Sequence, residues 1–143
     1  MIYTIGTSRR TKEEFLELLK EHGIEQLIDV RRFPHSRYQH FVKENLKKFL
    51  EENGIKYFYL GDKLGGYRQG GYRLFMETDD YKSGVCELEN IAVRGRTVFM
   101  CAERFPWRCH RRFISQSLEE RGWKVIHIID KGRVWIKKKS EKG

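Results

Sequence analysis

Residues 101–112 read Cys-Ala-Glu-Arg-Phe-Pro-Trp-Arg-Cys-His-Arg-Arg. Two sulfurs, a carboxylate, an imidazole and four guanidiniums share twelve positions, and several chemistries can be built from that set. Cys101, Glu103, Cys109 and His110 are the candidate catalytic residues. As a metal site, Cys101, Cys109 and His110 would offer sulfur and nitrogen, and Glu103 oxygen. Seven residues separate the two cysteines, whereas structural zinc sites pair their ligands more tightly. Cys109 and His110, as neighbours on a helix, would also diverge by about 100°. A metal on these three residues stays open as a cofactor, but no metal ligand is assigned.

A thiolate nucleophile is the second reading. A cysteine in the first turn of a helix, among arginines, has a lowered pKa. The loop of a cysteine phosphatase needs an arginine six positions after its cysteine; here that position is Trp107. In a third reading Glu103 moves a proton while His110 and Arg111 orient a phosphate or a base. In the plainest reading Cys101 is core, Cys109 packs and the arginines face water.

Chemistry of this kind needs a scaffold, and the chain alternates strand-like and helix-like pieces. "IYTIG", "IEQLIDVR", "IKYFYLG", "TVFMCA" and "KVIHIID" read as strands. Helices are predicted over "TKEEFLELLKEHG", where Thr11 and Glu14 form a capping box, over "FVKENLKKFLEENG", over residues 79–94, and from Pro106 to Gly122. The order predicts an α/β fold: a mostly parallel sheet with helices on both faces, Rossmann-like and three-layered, closed by a short C-terminal β-hairpin through "DKGR". One domain over 1–143 is expected, with about 137–143 as a flexible basic tail.

In such sheets ligands bind beyond the carboxyl ends of the strands. The four irregular, arginine-rich segments all follow strands: "GTSRR", "RRFPHSRYQH", "GDKLGGYRQGGYR" and "ERFPWRCHRR". An anionic ligand, a nucleotide or nucleic acid, is therefore the expected partner. Its candidate contacts are Thr7, Ser8, Arg31, Ser36, Arg37, Gly65, Gly66, Arg68 and Arg111. Asp29 lies inside an apolar strand on the same side as Arg31, so a structural Asp–Arg pair competes with a catalytic acid there.

The net charge of +9 agrees with anionic partners. Three cysteines are too few for a disulfide framework, and no apolar run reaches membrane-spanning length. A cytoplasmic protein without a membrane contact is expected.

In order along the chain, "YTIGTSRR", "LIDVRRFPHSR", "YFYLGDKLGG", "FMCAERFPWRCHRRFI" and "GWKVIHI" resemble the domain of unknown function 488 family. The resemblance implies a compact α/β domain. It also implies that Asp29, Arg31, Pro34, Ser36, Arg37, Leu64, Gly65, Gly66, Cys101, Glu103, Cys109, His110 and Arg111 sit at the family's motif positions. Many members read Gly-His-Ser where this chain has Gly-Thr-Ser, and Thr7 cannot replace that histidine as a base. The resemblance supplies a fold and a site but no reaction. The expected function is an enzyme on a phosphate-bearing substrate at a basic cleft. The alternatives are a nucleic-acid-binding module, or a metal- or redox-sensing Cys/His domain.

Overall fold

The computed structural model describes residues 1–34 and 36–137. Most of the expected basic tail thus lies outside the described residues. Five parallel strands form one sheet: β1 (Ile2–Gly6), β2 (Gln26–Asp29), β3 (Lys56–Tyr59), β4 (Thr97–Cys101) and β5 (Val125–Asp130). A sixth, β6 (Arg133–Trp135), returns antiparallel beside β5. The order across the sheet is β3-β2-β4-β1-β5-β6. The α/β architecture and the closing hairpin are those the sequence predicts.

Strands buried on both faces explain the apolar runs, and the period of two decides which residue meets which helix layer. On one face, Phe15 and Leu19 of α1 (Lys12–Glu21) and Leu46 and Leu50 of α2 (Lys43–Glu52) pack with Ile5, Leu27 and Met100. On the other, Val85 and Leu88 of α5 (Asp79–Ala92) and Ile114 and Leu118 of α6 (Arg111–Glu120) pack with Ile2, Ile28 and Phe99. Helix α1 starts at the predicted capping box: the Glu14 N–H donates to Thr11 Oγ1, and the Thr11 N–H donates to Glu14 Oε1. Between β3 and α5, the glycine-rich stretch holds two one-turn helices that periodicity did not reveal, α3 (Gly61–Leu64) and α4 (Tyr72–Phe75).

The expected single helix from Pro106 to Gly122 is two pieces. Pro106–Arg108 is a 3-10 turn, Cys109 is extended (φ −144°, ψ 176°), and α6 begins only at Arg111. The reason is local. The Cys109 sulfur accepts the main-chain N–H of Arg111 at 3.4 Å, a side-chain bond to the residue two places on that competes with helical geometry. Cys109 therefore lies just outside the helix, not in its first turn.

Candidate active site

Strand β4 ends on Cys101, whose side chain points to the α5–α6 face and is buried. The loop that follows brings the half-buried Cys109 back over it, and the two sulfurs lie 3.1 Å apart. The pair is asymmetric. Hydrogen bonding from Cys101 lowers the Cys109 thiol to about 6 against the opposing effect of burial, and Arg111 lowers it further. Burial pushes Cys101 well above the ordinary thiol range, and its bond to Cys109 adds to this. The opposite directions of the two shifts make Cys109 the sulfur that favours the charge and accepts, and Cys101 the thiol that donates.

Arg111 is the largest fully buried side chain among the described residues. Its Nε donates to Cys109 Sγ at 3.4 Å and Nη1 donates to Thr4 Oγ1 at 3.0 Å. Nη2 donates to the carbonyls of Glu103 and Arg104. Among the described residues no carboxylate contacts it. A buried guanidinium needs a counter-charge, and the acidic groups beside this one are the Cys101 and Cys109 thiols, of which Cys109 accepts from its Nε.

Thr4 and His127 complete the support and were not singled out from the sequence. They are register partners on β1 and β5, with Thr4 Oγ1 and His127 Nδ1 2.6 Å apart. Thr4 accepts from Arg111, so its hydroxyl proton goes to His127 Nδ1. Burial, with Arg111 nearby, lowers His127 to about 3 and keeps it neutral. Gly6 closes the arrangement from the end of β1. A Cβ there would fall 1.9 Å from the Glu103 carbonyl oxygen that Arg111 binds, so only glycine fits.

Several of the expected ligand contacts have partners within the fold. Arg111 is consumed by the bonds just given and holds a sulfur, not a ligand. Arg31 forms a two-pronged pair with Asp29 (2.9 and 2.8 Å) and donates its third nitrogen to the Phe41 carbonyl, while still bordering the cleft. Tyr57 adds a 2.6 Å bond to Asp29, and burial foremost pushes its hydroxyl up. The N–H groups of Thr7 and Ser8 are spent on the carbonyls of Cys101 and Ala102, and neither residue borders the cleft. Arg68 donates to the carbonyls of Gly65, Asp62 and Gly61 and lies over the Phe75 ring at 3.9 Å. Gly65 is set by packing, since a Cβ would lie 2.4 Å from the Arg32 Cβ. Ser36 accepts the Tyr38 N–H, and it and Arg37 lie outside the cleft.

The cleft encloses about 770 Å³ above the two sulfurs. Its polar wall includes Arg32, Glu103, Arg108 and Arg112, and its aromatic wall Phe33, Tyr67, Tyr72, Trp107 and Phe113. Of the expected site, Arg31, Cys101, Glu103, Cys109, His110 and Gly66 do border it together. His110 is lowered to about 4 by burial, with Arg111 and Arg68 adding to this, so it is a neutral donor to the Val30 carbonyl at 3.1 Å. Turned that way, it does not join the sulfurs as a third ligand. No group of three or more His, Cys, Asp or Glu side chains among the described residues is placed to hold a metal ion. No helix among them is long and apolar enough to cross a membrane.

The family model described as "Domain of unknown function DUF488" matches residues 11–118. No curated protein and no solved structure matches the chain. The matched span runs from the cap of α1 to the last buried leucine of α6 and includes both cysteines and Arg111. The chain belongs to the family of the domain of unknown function DUF488.

Proposed function

We propose that this protein is an enzyme whose nucleophile is the Cys109 thiolate, acting on an anionic substrate held in the basic cleft. One observation carries the reading: a cysteine at the cleft floor whose sulfur accepts twice from a buried arginine that no carboxylate contacts among the described residues. The attacking species is thus present at neutral pH without a separate base, which neutral His110 does not provide for Cys109. Arg32, Arg108 and Arg112 on the rim suit oxyanions, and phosphate in particular. The exposed rings of Tyr67 and Trp107 suit a base stacked beside that phosphate, so a nucleotide or a nucleic-acid end is the favoured substrate. Glu103, on the same wall, is placed to exchange a proton with it.

The test is iodoacetamide alkylation of the full chain across pH, read by mass spectrometry at each cysteine. Cys109 should react fastest, with a rate that rises through about pH 6. Modification of Cys109 at the rate of an ordinary thiol, rising only above pH 8, sinks the reading.

Net charge and cleft aromatics also suit a non-catalytic nucleic-acid module. That reading needs binding to short single-stranded DNA or RNA that falls steeply with salt and survives Cys109→Ser.

A further inference from the structure

We infer that Cys101 and Cys109 form a two-electron thiol couple in which Cys109 attacks an electrophilic sulfur and Cys101 resolves the product, with Arg111 biasing the couple toward its reduced form. This rests on Cys109 being the nucleophile and adds what its neighbour is for.

A second thiol 3.1 Å from the first selects among thiolate reactions. An acyl or phosphoryl group on Cys109 gains nothing from Cys101, because a group passed to that buried sulfur is out of reach of water. A sulfur adduct gains a way out. Cys109–S⁻ attacks one sulfur of R–S–S–R′, forming Cys109–S–S–R and releasing R′–S⁻. Cys101–SH then gives its proton to the departing R–S⁻ and bonds to the Cys109 sulfur. The products are RSH and a Cys101–Cys109 disulfide, and two electrons have passed from the couple to the substrate. Two equivalents of a small thiol restore the dithiol. Closure needs the sulfurs to approach by only about 1 Å, to the ordinary bond length.

Arg111 sets the direction. In the reduced couple its charge is balanced by the Cys109 thiolate; in the disulfide that anion is gone and the guanidinium stays buried at its neutral partners. The oxidised form is thereby destabilised, so the disulfide is readily reduced, as suits an intermediate and not a structural brace. The metal alternative for two adjacent sulfurs lacks a third ligand among the described residues.

The experiment uses the full chain carrying Cys86→Ser, which removes the exposed third thiol, in buffers of reduced and oxidised glutathione. Peptide mass spectrometry after acid quenching reads the linkages. The expected result is a Cys101–Cys109 disulfide without accumulated glutathione adduct, while Cys101→Ser stops at glutathione on Cys109. From about pH 6.5 to 8 the reduced couple releases one proton as it forms, so the equilibrium should shift toward dithiol about tenfold per pH unit. Arg111→Met should move it at least tenfold toward disulfide. The pH series needs no variant at Arg111 and stands if that variant does not fold. A glutathione adduct that persists equally with and without Cys101, or a flat pH series, overturns the couple. Cys109 alkylation that stays fast in that case leaves the nucleophile in place, and slow alkylation ends both.

Discussion

Arg111 meets Cys109 twice, through its guanidinium Nε and through its own main-chain N–H, each 3.4 Å from the same sulfur. One residue thus supplies both the charge and the helix-terminal donor that hold a thiolate. The sulfur in turn decides where α6 begins.

Removing the thiol that donates to Cys109 should raise its titration. In Cys101→Ala the Cys109 alkylation midpoint moves up by about one to two pH units, and the rate at pH 7 falls about two- to tenfold. Cys101→Ser, which keeps a donor, stays near the wild type. Equal profiles for the two variants would mean that hydrogen bonding is not what lowers Cys109.

Stability should rise with pH in two steps. His110 and His127 are neutral in the fold at about 4 and 3, whereas in the unfolded chain they take a proton below their ordinary value. The unfolded state therefore binds more protons from about pH 4 to 6.5, and stability climbs across that window. Cys109, lowered to about 6, adds a second climb from there to the ordinary thiol range near 8.5. Above that range the raised Cys101 reverses the slope, since the unfolded chain loses its proton first. Urea midpoints from pH 4.5 to 9 check this, and Cys109→Ser should flatten the upper step alone.

Thr4→Val keeps the shape but leaves Arg111 Nη1 and His127 Nδ1 without their shared hydroxyl. A cost of about 1–3 kcal/mol is expected by urea unfolding. Cys109 alkylation at pH 7 should slow in the same variant, because a loosened guanidinium compensates the thiolate less well. Destabilisation with unchanged alkylation would confine Thr4 to a packing role.

Asp29→Asn separates fold from site. It removes the carboxylate that receives Arg31 and Tyr57 and leaves a buried cation, at a cost of about 3–5 kcal/mol. Tyr57 packs on the α1–α2 face, opposite Cys101, and of the cluster only Arg31 borders the cleft, so Cys109 alkylation in the folded variant should match the wild type. Loss of Cys109 reactivity at full occupancy of the fold would show the two faces coupled.

The sheet and its helices were legible because buried parallel strands and amphipathic helices leave strong periods, as in "TVFMCA" and at Phe15, Leu18 and Leu19. The cleft floor was legible too, as Cys101 and Cys109 follow a central strand. The burial of Arg111 was missed, although a signal existed: with Ile114, Ser115 and Leu118 it falls at positions one, four, five and eight, the buried stripe of α6. Thr4 and His127 also stood in plain view, each a polar residue inside an apolar strand. The break at Cys109 was not readable, since no period records a bond from a sulfur to the N–H two places on.

The sheet order also bears on when this site can exist. Strand β4 lies between β2 and β1, and those two earlier strands are not neighbours. A chain made only as far as residue 96 can pair β2 with β3, but β1 has no partner until β4 and then β5 arrive. The sheet is completed by inserting its centre, a pairing between distant parts of the chain that folds slowly. Cys101 is the last residue of that inserted strand, so the reactive pair assembles only as the fold itself closes.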